Sequence, residues 1–245
     1  MEKAIFKNKK LSIIVLLNGF IYTIIIKKNI QNEGELMKIV LVRHGESEIN
    51  KRCNEGEKIY CGAYNVQLTE EGRKSAEELK NNTYIKQIEK IYSSDLDRAV
   101  ETAKLATGKN DVIKLPILRE RSLGKFEGKI EESLEKEYPE YFTNPKLKNF
   151  RHDFVIKAPD GENYQEVSKR CSLFLKELDL ESHSTIGTFS HGVFIRCMIY
   201  VLMGLEKELV NKLKVQNCEP IVLEGNQIGK FVLKSHKLEE LLKRE

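Results

Sequence analysis

The sequence predicts an α/β fold for residues 37–245: a three-layer sandwich whose mostly parallel central sheet is flanked by helices. Strand-like and helix-like patterns alternate from Met37 onward, as in layered α/β domains. The chain has 245 residues and 40% hydrophobic content, enough for one sizeable core, and residues 37–245 parse most simply as one domain. Several predicted strands run into polar residues with no structural need to be there, which marks the ligand crevice at the carboxyl ends of an open sheet.

The elements can be justified in order. Lys38 to Val42 is an apolar, β-branched run and reads as a buried strand. Thr69, followed by Glu70 and Glu71, is an N-cap with an acidic first turn, so a helix starts there. "KIYSS" (Lys90 to Ser94) is a second strand, and "DLDRAVETAKLAT" after it is a helix with Asp95 near its start. "VIKLPI" (Val112 to Ile117) reads as a third strand. A helix from about Asn163 to Leu178 leads into "STIGTF" (Ser184 to Phe189), a fourth strand. Ser190-His191-Gly192 then opens an apolar helix to about Met203, whose Val193, Ile195, Met198, Ile199 and Leu202 belong in the core with Cys197. Pro220 to Leu223 and Lys230 to Leu233 are candidate edge strands, and the irregular stretch from Tyr138 to Asp160 is a candidate lid.

Residues 1–36 form an apolar extension. Leu11 to Ile26 lies between lysines and as a helix would reach only about 24 Å, short for a membrane span. No small-x-small pair precedes a plausible cleavage point, and with lysines on both sides the positive-inside rule assigns no orientation. Two readings stay open: an uncleaved membrane anchor, or a true start at Met37. Glu33-Gly34-Glu35 favours the second, because its codons can spell a purine-rich ribosome-binding sequence.

The formal net charge is +4, most of it in the extension, where six lysines face three glutamates. The remainder is near neutral, so a nucleic-acid partner is not expected and any anion site must be local. Five scattered cysteines with no CxxC pair argue against both a disulfide framework and a zinc site, and suit a reducing cytosol. A cytoplasmic protein is therefore expected, with a membrane as partner only if residues 11–26 act as an anchor.

Three strand ends carry the chemistry: Arg43-His44-Gly45, Ser93-Ser94 leading to Arg98, and Ser190-His191-Gly192. Two arginines and two histidines at one sheet edge would attract a small dianion, since guanidinium groups match phosphate oxygens bidentately. Glycine after each histidine keeps the backbone open, and a helix after Gly192 can aim amides at the same anion. A neutral imidazole there is also a competent nucleophile toward phosphorus. The leaving alkoxide needs a proton, for which Glu120 and Glu127 in "LRERSLGKFEGK" are the candidates.

"RHGES" with Asn50, "CGAYNVQLTEEG" (Cys61 to Gly72), "SSDLDRAVETA", "LRERSLGKFEGK", "PDGENYQEVSKR" (Pro159 to Arg170) and "SHG" resemble, in this order, the histidine phosphatase superfamily in its phosphoglycerate mutase-like branch. The resemblance covers Met37 to about Leu223. It implies phosphorylation of His44, phosphate-holding roles for Arg43, Asn50, Arg98 and His191, and proton donation by Glu120. It also implies chemistry without metal or cofactor. Ser47, Cys61, Gly62 and Gly192 become substrate-pocket candidates. Ile49, Cys61 and Phe126 depart from residues common in the family, which bears on substrate choice.

The expected function is hydrolysis of small phosphorylated metabolites through a phosphohistidine; sugar-bisphosphate, α-ribazole phosphate and broad-specificity activities all fit. The alternatives are a cofactor-dependent phosphoglycerate mutase-type phosphotransferase and a non-catalytic phosphoester-binding regulator. The family's mutases carry a longer, more basic insertion than Arg121 to Ser190 provides, which favours hydrolysis. Arg98 could instead pair with Asp95 or Glu101 on its own helix. Arg151-His152 lacks the glycine and the preceding strand and reads as a solvated loop; His183 and His236 read as surface residues. Lys146, Lys148, Arg151 and Lys157 form either a solvated face or a second anion contact.

Overall fold

The computed structural model describes residues 11–17, 20–26, 36–178 and 185–242. His183 and Ser184 lie outside them. The chain divides into two compact units, residues 1–35 and 36–245. In the first, β1 (Leu11–Leu17) and β2 (Phe20–Ile26) pair antiparallel, Leu11 opposite Ile26 and Leu17 opposite Phe20. The apolar run from Leu11 to Ile26 is thus two strands and not one helix. The sequence carries the reason, since Asn18-Gly19 between them is the strongest short-range hairpin signal. Among the described residues, no helix is long and apolar enough to cross a membrane.

The second unit is organised by β3 (Met37–Arg43), which lies inside a six-stranded sheet. The other strands are β4 (Lys90–Ser93), β5 (Ile113–Lys114), β6 (Thr185–Ser190), β7 (Pro220–Gly225) and β8 (Val232–Leu233), in the order β5-β4-β6-β3-β7-β8. The β5, β4, β6 and β3 strands run parallel, while β7 and β8 add antiparallel pairs. Alternate residues of β3 enter different cores, as the two-residue period of a strand dictates. Met37, Ile39 and Leu41 pack with α7 (Tyr164–Glu177) and α8 (Gly192–Met203). Val40 and Val42 pack with Leu79, just after α2 (Glu70–Glu78), with Ile85 of α3 (Thr83–Lys86) and with Ala103 and Ala106 of α4 (Asp97–Thr107). These are the three layers.

The caps sit where the side-chain chemistry puts them. Thr69 accepts from the Gly72 amide at the start of α2, and Asn163 forms a reciprocal capping box with Glu166 on α7. Two strand expectations need correction. The third strand is only two residues long, because Pro116, with no N–H to donate, opens a 3-10 turn over Pro116–Leu118. Pro220–Gly225 is an interior strand between β3 and β8, so only the second of the two candidate edge strands is one. Ile195, Cys197, Met198, Ile199 and Leu202 are fully buried, while Val193 is half-buried at the site.

The irregular 138–160 stretch contains α6 (Glu140–Thr143) and a 3-10 turn over Phe150–His152. It is anchored by side chains: Phe150 stacks on Tyr60 with centroids 5.9 Å apart and meets Phe126 and Tyr141 edge-on. His236 also departs from expectation. It is half-buried, with Nδ1 against Ser235 Oγ at 2.6 Å and Nε2 against Glu219 at 3.2 Å.

Candidate active site

The parallel register brings the polar strand ends together. Arg43 at the end of β3 lies opposite Ser190 at the end of β6, and Ser93 of β4 lies opposite Phe189. Backbone bonds continue past the strands, from the His44 amide to Ser190 O at 3.0 Å and from the Ser94 amide to Phe189 O at 2.9 Å. His44, His191 and Arg98 are all buried, and the two imidazoles face each other with centroids 5.1 Å apart.

His44 Nδ1 lies 2.7 Å from Gly45 O. A carbonyl has no proton to give, so Nδ1 carries it and Nε2 presents its lone pair. Arg98 Nε donates to that Nε2 at 3.2 Å. Arg98 is held by the carbonyls of Tyr64 at 2.8 Å and Gly62 at 3.2 Å, while Asp95 pairs with Arg119 and Glu101 with Arg73. The alternative of a pair on its own helix is therefore overturned. Arg43 Nη1 donates to Val215 O, whereas Arg43 Nε and both His191 nitrogens are buried without a partner among the described residues. A neutral imidazole has one N–H, so Arg43 Nε–H and one His191 N–H are buried donors, and because a buried donor without an acceptor costs free energy the pocket suits acceptor oxygens.

Glu120 follows the 3-10 turn and reaches the start of α8. Its carboxylate accepts from the amides of Val193 at 3.1 Å and Phe194 at 3.2 Å, and from its neighbour Arg121 at 2.8 Å. A β-carbon placed on Gly192 would lie 3.7 Å from both Arg43 Nε and Glu120 Oε2, so Gly192 separates arginine from acid. Glu127 is placed differently: Oε1 accepts from the Ala63 amide, the Leu123 amide and Ser122 Oγ at 2.9–3.1 Å. It clamps the turn at Cys61–Tyr64 whose carbonyls hold Arg98.

Beside Glu120 opens a cleft of about 220 Å³, lined by Ile49, Asn50, Cys53, Ile59, Tyr60, Cys61, Gly62, Glu120, Arg121, Leu123, Arg151 and Val193. Cys61 and Gly62 thus sit in the wall, and burial pushes the Cys61 thiol up to about 11, so it is no nucleophile at neutral pH. Asn50 also lines it, its Oδ1 accepting from the Ser47 amide at 3.2 Å. Ser47, by contrast, is fully buried and caps α1 (Glu48–Asn54). Arg151 is exposed but does not lie on a featureless solvated loop: its guanidinium sits 4.7 Å over the Tyr60 ring at the cleft.

Several residues that build the site are not singled out by the sequence. Asn217 Nδ2 donates to His44 O at 2.7 Å, Gly45 O at 3.2 Å and Asn50 Oδ1 at 3.4 Å, tying the histidine loop to α1. Thr102 Oγ1 accepts from the Gly45 amide at 2.9 Å and donates to Arg98 O at 2.6 Å. The histidine loop also packs backbone to backbone on α2: a β-carbon on Gly72 would fall 2.1 Å from Glu46 O, so only glycine fits. Nothing in "LTEEG" tells which backbone Gly72 meets.

Burial, then Arg98, holds His44 well below the ordinary 6.5, and burial followed by Arg98 does the same to His191. Both are neutral in the native state, while unfolded imidazoles titrate near that ordinary value. Below about pH 6.5 the unfolded chain therefore binds more protons, and stability falls as pH drops, by at most about 1.4 kcal/mol per pH unit for each imidazole. The melting temperature of the ligand-free protein is expected to fall from pH 7 to pH 5, and less steeply in His191→Asn. Equal slopes in both proteins would mean that His191 charges inside the fold.

An α/β sheet with buried arginines and neutral histidines at its carboxyl edge defines a protein that acts on phosphate esters. The family model described as histidine phosphatase superfamily (branch 1) matches residues 39–237, and the chain belongs to that superfamily. It is 33% identical over 186 residues to the probable phosphoglycerate mutase GpmB of Cronobacter sakazakii (strain ATCC BAA-894), covering 75% of this chain and 82% of that protein. A mycobacterial glucosyl-3-phosphoglycerate phosphatase, solved with VO3, aligns with a TM-score of 0.65 at 26% identity, over 81% of this chain and 97% of that one. A putative α-ribazole-5'-P phosphatase from Escherichia coli str. K-12 substr. MG1655 aligns with a TM-score of 0.69 over 85% and 96%, and at 24% identity that likeness is one of fold.

Proposed function

We propose that the protein is a phosphomonoester phosphatase that works through a phosphohistidine at His44. The observation that carries this reading is the orientation of His44, with Nδ1 bound to Gly45 O and Nε2 turned toward Arg98 in a pocket of unpartnered donors. A phosphoryl group entering there takes over the Arg98 Nε donor, which releases the Nε2 lone pair to attack phosphorus. The N–P bond forms as the ester P–O bond breaks. Arg43, Arg98 and His191 stabilise the charge on the equatorial oxygens, and Glu120 gives its proton to the departing oxygen. Water then attacks the phosphohistidine, returns a proton to Glu120 and releases inorganic phosphate, and Asn50 at the cleft wall adds a polar contact to the same group.

The small cleft supports a small phosphorylated metabolite as substrate. A mutase-type transfer is the second reading, favoured by the name of the Cronobacter relative. It differs only in what meets the phosphohistidine, a second alcohol or water. Rapid acid-free quenching of a reaction with 32P-labelled substrate is expected to trap label on His44, stable in base and lost in acid, and turnover is expected to survive EDTA. Label on another residue, or activity abolished by the chelator, overturns the proposal; label appearing in a second phosphorylated product selects the mutase.

A further inference from the structure

The segment that carries Glu120, residues 117–122, has no strand and ends its 3-10 turn at Leu118. A group that hands over a proton must nevertheless be held within about 0.5 Å of its productive position. Side chains of α7 and the loop before it supply that precision. Arg170, on α7, donates Nη1 to Ile117 O at 2.5 Å and to Arg119 O at 3.2 Å, and Nη2 to Glu120 O at 3.4 Å. The same guanidinium forms a two-pronged pair with Glu162, Nε to Oε1 at 2.7 Å and Nη2 to Oε2 at 2.8 Å. Glu162 in turn accepts from the Ser122 amide at 3.0 Å, and its own amide donates to Ser122 O at 2.8 Å.

One ion pair therefore grips the chain on both sides of Glu120. It reaches the carboxylate end as well, since Arg170 stacks 5.5 Å over the ring of Phe194, whose amide holds Glu120 Oε1. Both partners are about one-fifth to one-quarter exposed, and their planar, bidentate pairing adds geometric specificity. Lysine could supply the charge at this position but only one point of attachment.

We infer that Glu162 and Arg170 are positioning residues for proton donation: they act on the leaving group through Glu120 and leave the phosphate pocket itself alone. This rests on the reading of Glu120 as the acid. A misplacement of about 1 Å costs on the order of 10²-fold in a step that depends on it. The phosphoryl contacts of Arg43, Arg98 and His191 would be kept.

The test compares kcat/KM for glycerol 2-phosphate, whose alkoxide needs a proton, with that for p-nitrophenyl phosphate, whose phenolate leaves without one. Arg170→Lys is expected to lower the first by roughly ten- to a hundredfold and the second by less than about threefold. Glu162→Gln, which keeps its acceptor oxygen, is expected to show the same direction with a smaller ratio. Adding Arg170→Lys to Glu120→Gln should cost little more on glycerol 2-phosphate than Glu120→Gln alone, because the acid being positioned is already gone. Equal losses on both substrates for the singly substituted proteins, with Glu120→Gln still selective, would overturn the positioning role. No selectivity in Glu120→Gln itself would remove the acid assignment instead. If Arg170→Lys fails to fold, the ratio measured on Glu162→Gln decides.

Discussion

His44→Ala is expected to abolish turnover of glycerol 2-phosphate and p-nitrophenyl phosphate alike, by on the order of 10⁴- to 10⁶-fold in kcat, the scale on which covalent nucleophiles contribute. The loss should ignore the leaving group, because in the proposed mechanism the nitrogen that forms the N–P bond is common to both reactions. Binding should behave differently. Arg43, Arg98 and His191 stay in place, and Arg98 Nε, which donates to His44 Nε2 at 3.2 Å in the free protein, becomes available to an oxygen. His44→Ala is therefore expected to bind inorganic phosphate at least as tightly as the parent protein in a calorimetric titration. Activity within tenfold of the parent would place the nucleophile elsewhere, and loss of phosphate binding would place His44 among the groups that hold the anion.

Glu120→Gln is the second large effect. A positioned acid contributes typically 10²- to 10⁴-fold when an alkoxide leaves, and little when a nitrophenolate does. Glutamine keeps the shape and can still accept from the Val193 and Phe194 amides, so the pocket survives the change. The comparison is made on kcat/KM, because breakdown of the proposed phosphohistidine would be shared by all substrates and could limit kcat. Glu127→Gln serves as the control. Its carboxylate is bound by the Ala63 and Leu123 amides and by Ser122 Oγ and supports the turn under Arg98, so its loss should weaken both substrates by similar factors. A selective loss in Glu127→Gln with none in Glu120→Gln would exchange the two roles.

How far the sequence can be read follows from the range of the forces involved. Arg43, His44, Arg98 and His191 are legible because each sits at or just beyond a strand end, and parallel strands put those ends side by side. Thr69 and Asn163 are legible because a cap acts over three residues. Gly72 and Asn217 are not, since what makes them necessary is a backbone far along the chain: Asn217 meets His44 across 173 positions. Arg170 stands within a recognisable motif that does not display its task, because three of its partners are carbonyls, which no sequence shows. Arg151 escapes for a related reason, its aromatic partner Tyr60 lying in another segment. The two-residue β5 reads as longer than it is because its strand-like composition masks the effect of Pro116. The apolar run before Ile26 reads as a helix when its length is weighed ahead of its Asn-Gly pair.

The position of β3 has a consequence for the way the chain is made. It leaves the ribosome first among the six strands of its sheet, yet its neighbours on either side, β6 and β7, begin at Thr185 and Pro220. At about 5–20 residues per second, synthesis leaves this strongly apolar strand without its first partner, β6, for roughly seven to thirty seconds. The histidine loop that follows it likewise lacks its backbone partner Ser190 and its side-chain partner Asn217 until those residues have been added. Long sequence separation between partners slows the search for them as well. The interval in which β3 can pair with another nascent chain is thus set by topology, and lowering the number of chains made at once or supplying a holdase chaperone should raise the yield of folded protein more than any substitution in the site.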